Sequence, residues 1–148
     1  MILTIGYADL TPAQLANFAR KTGGKIIDCR AKKGRSKMGF GTRQLEALLG
    51  SQYEWRGNEL GGFGNTTKAG IDRLRRDAKK KTMVLLCACG DPHDCHRHID
   101  ICEPHFPDAQ HIFGNVMISA KVLQTVIDDP ETDLTGKMLG GAKKFFTR

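Results

Sequence analysis

Short apolar stretches alternate along the chain with segments in which apolar residues recur every three or four positions. The apolar stretches have the length of β-strands and predict strands at 2–6, 25–29, 52–56, 82–88 and 109–114. The helical spacing predicts helices over 11–23, 41–51, 66–80, 94–104 and 119–128. The stretch at 82–88 is the most apolar of all and is typical of a central strand that is buried on both faces.

This alternation of strands and helices predicts the fold class. We expect an α/β protein with a single-domain three-layer α/β/α sandwich and a mainly parallel, Rossmann-like sheet of about five strands. A chain of 148 residues is long enough to bury a core of its own. We predict one domain over 1–130, followed by a basic C-terminal tail over 131–148 that is either packed or partly mobile.

The charge of the chain indicates the kind of partner. Lys and Arg number 23 against 16 Asp and Glu, which gives a net charge of +7. The basic residues cluster at 30–37, 73–81 and 142–148. Such an excess favours a nucleic acid or a nucleotide-like anionic substrate, because the phosphates attract the cations and release counterions on binding. The alternative is a solvated helix surface that only keeps the protein dissolved.

Other features bear on location. No apolar run approaches the ~20 residues that a membrane span needs, so we expect no membrane partner. The N-terminal stretch 1–10 carries no early Lys or Arg and reads as a strand instead of a signal peptide. Five cysteines is an odd number, which favours reduced thiols and a cytoplasmic location. The oligomeric state is left open.

Polar and glycine residues follow the predicted strands at their carboxyl ends, where open α/β sheets form their sites. We expect Asp28, Asp91 and His96 to be catalytic. The expected substrate-binding residues are Tyr7, Arg30, Arg35, Ser36, Gly61, Gly62 and Arg97. The arginines suit an anionic group, and an acid paired with His96 suits acid–base work. A structural ion pair of Asp28 with an arginine or histidine is an equally open interpretation.

The same strand ends carry a family resemblance. In order they read "TIGY", "DCR", "RS…F", "ELGG" and "LLCACGDPHDCHR". This series, from about residue 3 to residue 115, resembles the domain of unknown function 488 family. The resemblance implies an α/β fold and brings no settled activity. The chain departs from the family pattern at Cys89, where an acid is usual, and at Arg35 and Ser36, whose order is reversed.

Three cysteines and three histidines within residues 87–98 leave several kinds of chemistry open. Cys95, Ile99 and Cys102 lie at i, i+4 and i+7, which predicts a packed helix face with His96 and Arg97 off it, at the rim above the sheet. Cys95 in the first turn of a helix would also favour a thiolate. Zinc is a further alternative, although the spacing is irregular and we predict no metal or cofactor.

The leading hypothesis is a small cytoplasmic α/β enzyme that acts on a nucleic acid or nucleotide-like substrate, by hydrolysis of a glycosidic or phosphoester bond. A second hypothesis is a thiol-based transferase that uses Cys95 or Cys89 as its nucleophile. A third is a non-catalytic DNA- or RNA-binding module whose strand-end loops only grip phosphates.

Overall fold

The computed structural model describes residues 1–34, 36–114 and 116–128. Its strands are β1 (Ile2–Gly6), β2 (Lys25–Asp28), β3 (Tyr53–Trp55), β4 (Met83–Cys87), β5 (Gln110–Phe113) and β6 (Val116–Ser119). Its α-helices are α1 (Pro12–Thr22), α2 (Thr42–Leu49), α3 (Gly57–Leu60), α4 (Lys68–Lys80), α5 (Glu103–His105) and α6 (Ala120–Asp128). A 3₁₀ turn spans Gly50–Gln52, and a π-helix spans Arg97–Cys102.

The six strands form one sheet in the order β3-β2-β4-β1-β5-β6. All neighbouring pairs are parallel except β5 and β6, which are antiparallel. The α/β class and the mainly parallel Rossmann-like sheet are therefore confirmed. The sixth strand was not predicted, because β6 is a four-residue edge strand whose apolar residues run directly into α6. Gly114, with a φ of 55°, makes the turn that returns the chain beside β5.

Two apolar layers cover the sheet, one on each face. On one face α1 and α2 pack against alternate residues of the central strands, through Leu3, Ile5, Leu15, Phe18, Leu45 and Leu86. On the other face α4 and the π-helix pack through Ile27, Ile71, Leu74, Leu85, Ile101 and Cys102. Because successive residues of a strand point to opposite faces, a run of apolar residues in β4 serves both layers.

Local signals explain the ends of α1. The Thr11 side chain accepts a hydrogen bond from the Gln14 backbone, and the Gln14 side chain accepts one from the Thr11 backbone. Pro12 occupies the first turn, and Gly23 ends the helix with a φ of 62°. Thr11, Pro12 and Gly23 are the residues that predicted the ends of this helix from the sequence.

The predicted tail over 131–148 lies outside the described residues, so its packing stays a prediction, as does the domain boundary at 130. Among the described residues, no helix combines the length and the hydropathy that crossing a membrane requires.

Candidate metal centre

The carboxyl ends of β1, β4 and β2 lie side by side, and the candidate site is built on the loops that follow them. Gly6 is the last residue of β1 and lies very close to the loop that follows β4. A Cβ at Gly6 would lie 1.6 Å from the Cys89 carbonyl oxygen. Only glycine permits this approach. The loop after β4 is thereby seated directly over the end of β1.

Three cysteines meet on this loop. β4 ends at Cys87, and the chain then turns so that Cys89 comes back towards it. A second turn, closed by the Cys95 N–H donating to the Pro92 carbonyl oxygen, brings in Cys95. The three sulfur atoms lie within 4.8 Å of one another. Cys89 is exposed, whereas Cys87 and Cys95 are buried.

His96 faces the sulfur atoms of Cys87 and Cys95. Its Nε2 lies 3.0 Å from the Cys29 carbonyl oxygen, so Nε2 carries the proton and Nδ1 keeps a free lone pair. Nδ1 lies 3.9 Å from the sulfur of Cys87 and 4.0 Å from that of Cys95. Gly62 lies beneath the ring, where a Cβ would be 3.2 Å from Cγ of His96.

Arg97 lies under the cysteines and not at the rim, so that prediction is wrong. Its side chain is completely buried and donates to the Cys95 sulfur at 3.2 Å, the Cys89 carbonyl oxygen at 2.9 Å and the Thr4 hydroxyl at 3.4 Å. The prediction failed because the π-helix has a longer turn than an α-helix. The longer turn changes the direction in which each side chain points. Arg97 therefore faces inward, and Ile99, which was expected on the packed face, is 54% exposed.

Electrostatics separate Cys95 from the other thiols. A hydrogen bond from Cys87, together with His96 and the charge of Arg97, holds the pKa of Cys95 well below its usual value, against the effect of burial. The hydrogen bond to Cys95 raises the pKa of Cys87, with burial acting the same way. Burial is the main cause that raises the pKa of Cys89. Of the three thiols, Cys95 is therefore the one whose surroundings favour the thiolate form.

Asp28 forms a buried ion pair with Arg30. The Arg30 side chain donates to both Asp28 oxygens, at 2.9 Å from Nε to Oδ1 and 2.6 Å from Nη2 to Oδ2, and the Arg30 backbone N–H adds a third bond. The Tyr53 hydroxyl donates to Oδ2 at 2.6 Å. Both carboxylate oxygens are thus occupied and the side chain has no exposure, which matches the structural interpretation of this acid.

Tyr7 and Ser36 join this ion pair. The Tyr7 ring stacks on Phe40 with centroids 4.5 Å apart, and its hydroxyl is hydrogen-bonded to the Ser36 hydroxyl. Arg30 lies over the Tyr7 ring and donates to the Phe40 carbonyl oxygen at 2.7 Å. The predicted residues Tyr7, Asp28, Arg30 and Ser36 therefore form one cluster, and Arg35 lies outside the described residues.

The remaining predicted residues have other surroundings. Asp91 is exposed, and its side chain accepts a hydrogen bond from the His93 backbone at 2.8 Å. Gly61 packs on the loop after β2, where a Cβ would lie 2.9 Å from Cα of Ala31. Gly62 is the glycine that contacts the centre, through His96. Whether any of these residues takes part in catalysis or substrate binding stays a prediction.

Sequence reasoning missed a buried chain of polar groups behind Arg97. Thr4 bonds Nδ1 of His111 at 2.7 Å, and Nε2 of His111 lies 3.1 Å from Nδ1 of His98. Nε2 of His98 reaches the Gln124 side chain at 2.9 Å. The signal in the sequence was a histidine and a threonine at interior positions of apolar strands, which need partners when they are buried.

The centre as a whole can hold a metal ion. Cys87, Cys89 and Cys95 each offer a sulfur ligand within the required distance. Thiolate ligands suit soft or borderline ions such as Zn²⁺ and not Mg²⁺ or Ca²⁺. The irregular spacing weighed against a metal at the sequence level, because it does not reveal that two turns fold the segment back on itself.

The comparisons with known proteins concern this same part of the chain. A family model described as "Domain of unknown function DUF488" matches residues 58–99, which include the hairpin that carries Gly62, helix α4, strand β4 and the cysteine loop. Searches of curated proteins and of solved structures gave no match. The resemblance to the domain of unknown function 488 family, predicted from the motifs at the strand ends, is therefore confirmed over residues 58–99.

Proposed function

We propose that the chain is a zinc-binding protein that binds nucleic acid, with Cys87, Cys89, Cys95 and His96 as the zinc ligands. The observation that carries the proposal is a group of three sulfurs within 4.8 Å of one another, with Nδ1 of His96 at 3.9 Å from the sulfur of Cys87 and 4.0 Å from that of Cys95. Three cysteines and a histidine are a common ligand set of structural zinc.

The distances fit a tetrahedral ion. Zinc bond lengths of about 2.3 Å to sulfur and about 2.0 Å to nitrogen place ligand sulfurs about 3.8 Å apart, and sulfur and nitrogen about 3.5 Å apart. The separations from Nδ1 of His96 exceed this by only a few tenths of an ångström. The exposed Cys89 would have to move towards Nδ1 of His96 to complete the coordination, since His96 lies close only to the sulfurs of Cys87 and Cys95.

The surroundings of His96 support the same interpretation. A histidine that binds a metal through one ring nitrogen usually donates the other N–H to a carboxylate or a backbone carbonyl. The Cys29 carbonyl oxygen accepts that hydrogen bond from Nε2, which orients the ring with Nδ1 towards the sulfurs.

Charge balance is a further support. A Zn²⁺ ion with three thiolates and a neutral histidine carries a net charge of −1. Arg97 supplies one positive charge directly beneath it, donating to Cys95 and to the backbone of Cys89. Since a buried charge needs a partner, this pairing accounts for an arginine with no exposure.

Bound to four protein ligands, zinc would act as a clamp that fixes the cysteine loop over the ends of β1 and β2. Nucleic acid is the partner that the charge favours, at +7 overall. A cleft of about 760 Å³ beside Ser36, lined also by Lys33 and Arg43, is open to such a ligand. The five cysteines are all free thiols, which suits the reducing cytoplasm.

The geometry supports the hydrolytic reaction expected from the sequence less well than it supports a zinc centre. The Asp28 oxygens are occupied by Arg30 and Tyr53, and both ring nitrogens of His96 have a role in the proposed centre. Incubation of the zinc-loaded protein with labelled DNA and RNA tests hydrolysis directly, because accumulating cleavage products would support the enzyme hypothesis over a binding function.

The proposal is tested by elemental analysis of protein purified without a histidine tag. We expect close to one zinc per chain, and a strong loss of zinc in Cys89→Ser. Cys102→Ser is the control, since Cys102 is a buried cysteine that packs in the apolar layer with α4 and is not one of the three clustered sulfurs. Absence of zinc combined with rapid iodoacetamide labelling of Cys95 or Cys89 would overturn the proposal and support the thiol-based transferase.

Nucleic-acid binding is tested separately, by fluorescence anisotropy with labelled oligonucleotides at increasing salt. We expect the affinity to fall steeply with salt, because each neutralised phosphate releases counterions. Neutralisation of Lys32 and Lys33, which are exposed beside the site, is expected to weaken binding and flatten the salt dependence. If the wild-type protein shows no measurable binding at low salt, the nucleic-acid part of the proposal is wrong. The zinc-binding part would be unaffected by that result.

A further inference from the structure

Phe63 has a conformation and an exposure that folding does not explain. It is the one non-glycine residue with a positive φ among the residues that the structure describes, at 58°. Its side chain is fully exposed, at 101%. A bulky residue is disfavoured in the left-handed region, and an exposed ring gains nothing from the core. Neither local structure nor packing accounts for a phenylalanine here.

The backbone around Phe63 forms a tight turn. The Gly62 carbonyl oxygen accepts hydrogen bonds from the Asn65 backbone at 3.3 Å and the Asn65 side chain at 2.8 Å. Phe63 and Gly64, with φ values of 58° and 82°, are the central residues of this turn. Turns with positive φ at both central positions favour Asn, Asp and Gly, so Phe63 is an unusual choice.

The arms of this turn are held in place. Leu60 pairs with Thr66 across the hairpin, and the Thr66 hydroxyl donates to the Gly61 carbonyl oxygen at 2.8 Å. The hairpin over 60–66 therefore presents Phe63 at its tip on a fixed support.

The hairpin over 60–66 contacts both the candidate metal centre and the loop after β2. Gly62 lies against the His96 ring, and Gly61 lies against Ala31. The two residues that follow Ala31 are the exposed Lys32 and Lys33. An exposed aromatic ring thus stands at the tip of a hairpin whose base contacts both the candidate metal centre and the loop that carries these two lysines.

We infer that Phe63 is a stacking platform for a base of single-stranded nucleic acid, with Lys32 and Lys33 in reach of the adjacent phosphates. Stacking on an aromatic ring beside basic residues is the usual way in which proteins bind single strands without strong sequence preference. The inference rests on the nucleic-acid part of the proposed function and names the form of that ligand. The positive φ keeps the ring away from the protein and available to a base.

The test compares wild type with Phe63→Gly, using two labelled probes of equal length: a twelve-residue oligothymidine and its abasic analogue. Wild type is expected to bind the oligothymidine at least about tenfold more tightly than the abasic strand. In Phe63→Gly this preference is expected to disappear, while binding of the abasic strand is unchanged. Phe63→Trp is expected to keep the preference.

Two controls make the result specific. Phe63→Gly suits the local backbone, so its melting temperature should equal or exceed that of wild type, which separates lost stacking from lost folding. Leu48→Ala removes an apolar side chain that is 43% exposed on α2 and does not line the cleft beside Ser36, and should leave the preference for bases intact.

A preference for bases that survives in Phe63→Gly would overturn the inference and point to a protein partner for this ring, with nucleic-acid binding still supported. No binding of either probe by wild type would instead count against nucleic acid in the proposed function. The two failures are thereby distinguishable.

Discussion

The guanidinium group of Arg97 donates a hydrogen bond from Nε to the sulfur of Cys95 over 3.2 Å, and both side chains are almost completely buried. The other contacts of this arginine are neutral oxygen atoms, of Cys89 and Thr4. Among the contacts of Arg97 with the described residues, Cys95 is therefore the group that can carry the opposing charge. This pair links the fold to the chemistry of the candidate metal centre.

Arg97→Met is expected to destabilise the protein strongly and to reduce its zinc content. Removal of one partner leaves the thiolate buried without a counter-charge, a change that typically costs about 3–5 kcal/mol. Urea unfolding measures the free energy, and elemental analysis measures the metal. Arg75→Met is the matched control: Arg75 is exposed and paired with Asp72, so its loss should change the free energy by less than about 1 kcal/mol. Equal unfolding midpoints for the two variants would contradict the role given to Arg97.

Gly62→Ala is expected to weaken zinc binding about tenfold, because the new methyl group would meet the His96 ring at 3.2 Å and turn Nδ1 from the sulfurs. Competition with a chromogenic chelator measures the affinity. Gly64→Ala separates this effect from backbone strain: Gly64 has a φ of 82° and open space around it. That variant should lose about 1 kcal/mol of stability and keep its zinc affinity. Weaker zinc binding in Gly64→Ala alone would refute the steric explanation.

Tyr53→Phe is expected to lower the free energy of unfolding by about 1.5–3 kcal/mol, since the Tyr53 hydroxyl donates to the buried, ionised Asp28. Tyr7→Phe is the comparison, because the Tyr7 hydroxyl bonds the neutral hydroxyl of Ser36 and has only a long contact, of 3.5 Å, with Nη1 of Arg30. Its expected loss is about 0.5–1.5 kcal/mol. Urea unfolding of both variants measures the difference, and a larger loss in Tyr7→Phe would contradict the importance of the Asp28 ion pair.

Stability is expected to fall as the pH drops below about 6.5. Burial, with the charges of His98 and Arg97, lowers the pKa of His111 from 6.5 to about 3. The folded protein therefore keeps His111 neutral while the unfolded chain takes up a proton, so stability is full above pH 6.5 and is lost progressively towards pH 3. The loss attributable to this residue is about 2–4 kcal/mol.

Unfolding in urea at several pH values checks this expectation. His111→Leu should be less stable than wild type at pH 8, because Thr4 and His98 each lose a hydrogen-bond partner. The same variant should lose less stability between pH 6.5 and pH 4. Parallel pH curves for the two proteins would show that His111 does not titrate as described.

Much of the fold could be predicted because it depends on local patterns. The Thr11 and Gly23 signals define α1, and the apolar run of β4 predicts a strand buried on both faces. Strand β6 was not predicted, because a short, mainly apolar stretch directly before a helix resembles the start of that helix. Cys95 and Cys102 are buried as predicted, whereas Arg97 and Ile99 were assigned to the wrong faces, because the turn of Arg97–Cys102 is that of a π-helix, which the sequence does not signal.

The sequence by itself determined the α/β class, the placement of polar residues at the strand ends and the family resemblance, because strand and helix periodicity and strand-end motifs are local properties. Only the tertiary structure decided which of those residues meet. Two turns bring Cys89 and Cys95 back to Cys87, and the Cys29 carbonyl, from a neighbouring strand, sets the ring of His96. Contacts between residues far apart in the chain depend on the order of the strands, and this order converts separate motifs into one centre.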